Sequence, residues 1–402
     1  MPDRAQHSLE IVPQHPIPAQ LVADIQSKLA YVDEMILTAH VSGESQLIRL
    51  GLNQQPDAAR RAALEEKVHR VVASMVKGAI APKVQVLEDY LDRPVPYRED
   101  PLPALQVQGE VSREADGIYA LGPLVAWLIE DFEKRLLDLA ASFGAAPYRF
   151  PALIPARYLE RVNYFRAFPH SLTFATHLRT DLEAIDHFAQ QATCRPDGSL
   201  DIPSGDFAAI QALLSPAVCY HLYFSLADQS LADGRLTATA VGDCFRYEAI
   251  NLNSLERMWN FTMREVIFVG QKDFVLENRE LARQRMQPIL EELGLAYRVE
   301  SANDPFFIGE FRRQAAYQSA FQLKYEIRAL LPYNQDTLAV GSYNYHQDFF
   351  GRHLNISLPD GSPAHTGCVA FGLERLAYAF LAQYGPQPGD WPTTLREAFD
   401  ER

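Results

Sequence analysis

The stretch RPVPYREDPLP packs Pro94, Pro96, Pro101 and Pro103 into residues 93–103, and no other feature constrains the fold of this chain as much. Proline locks φ and donates no backbone hydrogen bond, so a helix cannot run through that density. The chain therefore divides here. Before it, apolar residues recur at helical spacing through QLVADIQSKLAYVDEMI and again through ALEEKVHRVVASMVKGAIAPKVQVLEDYL. We expect a helical extension over 1–93, a linker over 94–103 and one large domain over 104–402, a length ample for a single big core.

Past the prolines the pattern changes. GIYALG reads as a short strand or turn, and PLVAWLIEDFEKRLLDLAASFG as a long helix with Pro123 in its first turn and Gly144 at its stop. Leu124, Trp127, Leu128, Phe132, Leu136 and Leu139 share one broad face of it. YRFPALIP follows as an extended piece. RLTATAVGDCFRYE and FTMREVIFVG fit an antiparallel pair joined by the long loop INLNSLERMWN. A helix over 274–293 precedes the strand-like YRVESAN, KYEIRALLP and TLAVGSYNY, and CVAFGLERLAYAFLAQYG closes the series as an apolar helix. Antiparallel strands with helices around them predict an α+β domain on one sheet.

Composition narrows the setting. A net charge of −14 works against wholesale binding to nucleic acid or anionic membrane. The N-terminal MPDRAQHSLEIVPQHP has no signal-peptide pattern, and no apolar run approaches the ~18 residues of a membrane span, so the cytoplasm is the expected compartment. Cys194, Cys219, Cys244 and Cys368 are widely spaced with no C-x-x-C pair, as expected of reduced, mostly buried thiols.

The chemistry concentrates in CFRYEAINLNSLERMWNF, residues 244–261. Strand alternation puts Arg246 and Glu248 on one face, with Phe245 and Tyr247 on the other. A guanidinium offers bidentate bonds to phosphate, and a carboxylate two residues away accepts from an exocyclic amine. Arg257 at the loop's return suits a second phosphate, and Phe261 suits stacking on a base. On these eighteen residues alone a surface salt-bridge ladder is the favoured reading. A second element is GLER, Gly372 to Arg375, where an arginine among apolar neighbours needs an anionic partner: Glu374 or a bound phosphate.

FRYE, a loop and then RMWNF resembles motif 2 of class II aminoacyl-tRNA synthetases; FGLER resembles their motif 3, and the long helix ending in FG before YRFP their dimer-forming motif 1. Within that class, YFRAFP, CYHLYFSL, CFRYE, MREVIFVG, KYEIRALLP, SYNYHQDFFG and GCVAFGLERLA resemble the amino acid:[carrier protein] ligases, truncated relatives of atypical archaeal seryl-tRNA synthetases. The resemblance covers about three quarters of the chain and departs from it at 1–93, most of which such ligases lack.

The resemblance implies a class II synthetase-type antiparallel sheet flanked by helices. It implies that Arg246 holds the α-phosphate of ATP and the attacking carboxylate, Glu248 the adenine amine, and Phe261 the ring, while Arg257 and Arg375 bind the γ-phosphate with Mg²⁺ bridging phosphates. Arg246 and Arg375 are the expected catalytic pair. Cys219, Glu265 and Cys368 stand where the family holds zinc, which takes the substrate amine at its open position. Asn344, Gln347 and Asp348 correspond to a stretch lining the substrate pocket, whereas His346 reads as structural. The implied reaction is activation of a small amino acid, glycine or alanine, as its adenylate, then transfer to the phosphopantetheine thiol of a carrier protein by a homodimer. Alternatives are an atypical aminoacyl-tRNA synthetase, a ligase with another acceptor, and a non-catalytic paralogue binding amino acid or nucleotide. The absence of sustained heptads or a dense basic stripe in 1–93 weighs against tRNA.

Overall fold

The computed structural model describes residues 7–18, 21–42, 46–76, 84–196, 198–252, 254–302 and 323–401. Its N-terminal part contains β1 (His7–Ile11), α1 (Val22–Leu29), β2 (Ile36–Ser42), β3 (Leu47–Leu52) and α2 (Ala58–Val76). The strands form a three-stranded antiparallel sheet in the order β1-β3-β2. Leu9, Ile11, Ile48 and Leu50 of that sheet share a core with Ile25 and Leu29 of α1 and Val68 and Val72 of α2.

The expected helical extension over 1–93 is thus corrected to a small α+β domain. Its strands have 5, 7 and 6 residues, too few alternations to stand out beside the longer helical patterns around them. Residues 77–83 of the expected second helix lie outside the described residues.

The linker is corrected as well. β4 (Val86–Asp89) already pairs with the large sheet, so the chain joins the main domain before the prolines. Pro101 opens α3 (Pro101–Val107), where Asp100 caps the Leu102 N–H at 2.9 Å. Proline in a first turn loses no hydrogen bond the helix needs, so the residue that breaks one helix starts another. The Tyr97 N–H donates to Gln383 O at 3.0 Å, holding 94–103 against the main domain.

The main domain continues through α4 (Pro123–Ala141), β5 (Ala146–Pro147), α5 (Cys219–Ser225), β6 (Leu236–Phe245), β7 (Asn260–Gly270), α6 (Lys272–Glu292) and β8 (Tyr297–Ser301). It then adds β9 (Lys324–Leu331), β10 (Asp336–Gln347), β11 (His365–Gly372) and α7 (Leu373–Tyr384). Eight strands form one sheet in the order β4-β8-β9-β10-β11-β7-β6-β5. Every pairing is antiparallel except β5 with β6. The predicted α+β sheet and the β6–β7 pair agree with this, but the apolar run CVAFG is strand β11 rather than the start of a helix. Buried on both faces, that run has no period to distinguish strand from helix.

Alternation along β7 and β11 sorts their side chains between two layers. Val266, Phe268, Val369 and Phe371 face α4, α6 and α7, packing with Leu128, Phe132, Met286 and Phe380. Ile267, Val269, Cys368 and Ala370 face the other way, toward Cys219, Leu222 and Tyr223 of α5. The second layer is where the site lies. No helix among the described residues is long and apolar enough to cross a membrane.

On the α4 face of the sheet a buried arginine meets a partly exposed carboxylate. Arg264 of β7, 5% exposed, pairs with Glu133 of α4 and donates to Thr239 Oγ1 at 3.0 Å. Removing one partner of such a pair strands the other. Glu133→Ala is expected to destabilise the fold by about 3 kcal/mol in denaturant titration, and Glu133→Leu with Arg264→Met to recover most of it.

Candidate active site and metal centre

Strand β6 ends at Phe245, and the Arg246 N–H donates to Trp259 O at 2.9 Å to close the base of the loop before β7. Arg246 Nε donates to Pro216 O at 3.0 Å, and its guanidinium lies 5.4 Å from the Phe261 ring centre. A cation held both by a carbonyl and over an aromatic face is oriented before any substrate arrives.

Beyond Arg246 the chain leaves the strand. Glu248 precedes a short turn over Ala249–Asn251, and Arg257 returns to pair with the Glu248 carboxylate. Arg375, in the first turn of α7, brings Nη2 to 3.9 Å from Glu248 Oε1. Burial pushes the Glu248 carboxyl up, but Arg257, Arg375 and Arg246 outweigh it and hold it below the usual carboxylate range. Burial pulls the Arg375 guanidinium down to about 10. Of the two anions weighed for Arg375, Glu374 is committed elsewhere, accepting the Thr262 N–H at 2.8 and 2.9 Å. Arg246, Glu248, Arg257, Phe261 and Arg375 therefore come together from a loop, a strand and a helix start, as a cationic basin with one carboxylate. Behind it, Tyr333 donates to Glu256 Oε1 at 2.6 Å and Tyr378 to Asp100 Oδ1 at 2.9 Å, bracing the Arg257 turn against α7.

The second cluster lies deeper on the same layer. The Sγ atoms of Cys219 and Cys368 and a carboxylate oxygen of Glu265 lie within 4.8 Å of one another, all in buried residues. Register explains the approach: Glu265 pairs with Ala370 and Ile267 with Cys368, so Glu265 and Cys368 share a face, and α5 sets Cys219 over it. Glu265 Oε1 accepts the Val218 and Cys219 N–H groups at 3.0 and 3.1 Å, whereas Oε2 is buried with no hydrogen-bond partner. Burial pushes the Glu265 carboxyl up. An orphaned carboxylate oxygen beside two thiols is costly alone and suits a soft, thiolate-binding divalent cation. The residues present fit zinc.

Strand β7 connects the two clusters: Met263, two residues before Glu265, brings its Sδ to 3.9 Å from Arg246 Nη2. Of the pocket candidates, Asn344 is tied to the second cluster, its Nδ2 donating to Cys368 Sγ at 3.4 Å and to Ser342 Oγ at 2.9 Å. Gln347 sits at a positive φ of 55° beside a bulge in β10, and Asp348 takes Arg352 Nε at 2.6 Å. Sequence reasoning passed over Tyr223 and Thr366, which meet His346 Nδ1 at 3.4 and 3.2 Å. Both had a signal: Tyr223 is one helical turn past Cys219, and Thr366 two strand positions before Cys368.

Such a sheet, with an arginine cradle on the β6–β7 loop and an arginine in the first turn of α7, defines a class II aminoacyl-tRNA synthetase-type catalytic domain. The structure of tRNASec from A. aeolicus in complex with seryl-tRNA synthetase from M. kandleri superposes with a TM-score of 0.71 at 22% identity, over 98% of this chain and 77% of that one. Amino acid–[acyl-carrier-protein] ligase 1 of Bradyrhizobium diazoefficiens is 34% identical over 306 residues, 75% of this chain and 90% of its own. The chain belongs to the amino acid–[acyl-carrier-protein] ligase family. It is also similar to the type-2 serine–tRNA ligase of Methanococcus aeolicus, 27% identical over 80% of this chain and 63% of that protein. No family model matches the chain.

Proposed function

We propose that this enzyme uses ATP to activate a small amino acid, glycine or alanine, and transfers it to the phosphopantetheine thiol of a carrier protein. The observation that carries the reading is that one strand, β7, serves both clusters: Met263 reaches the arginine cradle, and Glu265 two residues on belongs to the buried Cys–Glu–Cys set suited to an amine-binding metal.

Arg246 holds the α-phosphate and the incoming carboxylate together. Glu248 takes the adenine amine, Phe261 packs under the base, and Arg257 and Arg375 hold the γ-phosphate, so the Glu248–Arg257 pair opens as the nucleotide enters. A carboxylate oxygen of the amino acid attacks the α-phosphorus, the bond to the bridging oxygen breaks, and pyrophosphate leaves. Positioning and charge neutralisation, with Mg²⁺ on the phosphates, lower this barrier more than acid–base groups do. In the second step the carrier thiol attacks the acyl carbon and AMP departs, leaving a thioester. Cys219, Glu265 and Cys368 would hold zinc with one position open, which when filled by the substrate amine selects amino acids over other carboxylates. Asn344, Gln347 and Asp348 line the side-chain pocket.

A homodimer formed through α4 and the strand after it belongs to this reading; Leu137 and Tyr148 there are 41% and 37% exposed. So does a cytoplasmic setting, which keeps the free thiols reduced. tRNA is disfavoured as acceptor: α1 and α2, at 8 and 19 residues, form no long arm. ATP–pyrophosphate exchange across a panel of amino acids tests the reading. Exchange with glycine or alanine is expected, and no exchange with any amino acid would sink it.

A further inference from the structure

The turn that begins at Glu248 reaches out of the main domain and into the N-terminal one. Ile250, two residues past Glu248, packs into the core formed by the N-terminal sheet, α1 and α2. Beside it Asn251 Nδ2 donates to Ser27 O of α1 at 3.4 Å. Just past α1, Tyr31 Oη lies 3.5 Å from Tyr247 O, and the Tyr31 ring meets His170 edge-on at 4.9 Å. The flanks of the turn are held by the main domain. The Tyr247 N–H donates to Ser171 O at 3.1 Å, the Tyr247 ring lies edge-on to Trp259 at 5.0 Å, and Leu252, 2% exposed, packs beside Gly117. Glu248 thus sits between anchors on two domains.

Inside the turn Ala249 adopts a φ of 50°, in the left-handed region. A residue with a Cβ seldom sits there, because the Cβ crowds the backbone, and the conformation persists only where its surroundings over-determine it. The turn's own bonds run from the Asn251 N–H to Glu248 O at 3.0 Å and from the Leu252 N–H to Ala249 O at 3.2 Å. Water offers those groups nearly equal bonds in an unfolded turn, so they fix the conformation weakly. The burial of Ile250 and the seat of Asn251 supply the rest. The Glu248 carboxylate is paired with Arg257 and lies 3.9 Å from Arg375 Nη2, so a turn released from these anchors would shift it against the cradle.

We propose that Ile250 and Asn251 are positioning residues: seated on the N-terminal domain, they hold the Ala249 turn so that Glu248 presents its carboxylate to the exocyclic amine of adenine. Base selectivity in the main domain then depends on the docking of the N-terminal one. This role rests on Glu248 being the adenine partner in the proposed nucleotide site.

The test is calorimetric binding to the full chain of AMP and of purine riboside monophosphate, which lacks the exocyclic amine. A hydrogen bond from that amine to a carboxylate predicts that wild type prefers AMP by about tenfold or more, and that Glu248→Ala loses the preference. Ile250→Ala is expected to lose most of it as well, while binding purine riboside monophosphate within about twofold of wild type, which also certifies a folded site. Ile250→Val, short by one methyl, should keep most of the preference. Asn251→Ala leaves the apolar contact in place, is expected to lower the preference by about threefold, and carries the test if Ile250→Ala does not fold. Variants at both positions that keep the full preference, whether affinities are unchanged or uniformly weakened, would reduce the docking to packing and overturn the inference alone. A wild type without preference, or a Glu248→Ala protein that retains it, overturns the adenine reading of Glu248 and this inference with it.

Discussion

Replacing Arg246 with alanine is expected to lower the rate of ATP–pyrophosphate exchange by about 10²–10³-fold at saturating substrates, the scale of removing one preorganised donor from a developing anion. The geometry makes this loss severe. Arg246 is fixed by Pro216 O at 3.0 Å and over Phe261 at 5.4 Å, so it stands ready for the α-phosphate without reorganisation. Arg246→Lys is expected to recover little, because an ammonium cannot span a carboxylate and a phosphate with a planar fork. Arg375→Ala should also be severe, with part of the loss in the Michaelis constant for ATP, since Arg375 is proposed to bind the γ-phosphate. Steady-state exchange kinetics separate the two, and an Arg246→Ala enzyme retaining more than a tenth of wild-type turnover would remove Arg246 from its assigned role.

The second large effect concerns the metal. Purified protein is expected to hold about one zinc per chain by elemental analysis, and Cys219→Ala or Cys368→Ala close to none, because two remaining ligands seldom retain the ion. The loss should extend to amino-acid binding while AMP binding persists, since the nucleotide cradle is made of other residues. Glu265→Gln is a finer probe: it keeps an acceptor for the Val218 and Cys219 N–H groups and removes the charge. Equal zinc in wild type and in Cys219→Ala would exclude this ligand set.

The sequence was most legible where a local pattern met a tertiary demand. The β6–β7 hairpin was readable because two apolar strands flank a polar loop, and α4 because Pro123 and Gly144 punctuate a one-sided helix. The meeting of Arg246, Glu248, Arg257 and Arg375 was not in any spacing rule. It came from family resemblance, and the sheet register supplies its physical cause. Cys219, Glu265 and Cys368 are alike in this: 46 residues separate Cys219 from the glutamate it donates to, and only antiparallel pairing with β11 brings Cys368 beside them.

What the sequence concealed has equally physical reasons. The N-terminal strands are short and lie between stronger helical periods, so their alternation was masked. The proline cluster was read as a break, whereas Pro101 opens a helix and Tyr97 is pinned to α7's Gln383. Lys28 is buried where α1 docks on the Glu248 loop, a tertiary contact that no local pattern records.

The central claim, that the activated amino acid is delivered to a carrier-protein thiol, is tested most directly by intact mass. The enzyme is incubated with ATP, Mg²⁺ and glycine or alanine, together with a panel of phosphopantetheinylated carrier proteins or with total tRNA. The account predicts a carrier protein heavier by one aminoacyl group, with the added mass released by hydroxylamine as a thioester should be, and uncharged tRNA. Aminoacylated tRNA with every carrier unmodified would contradict it.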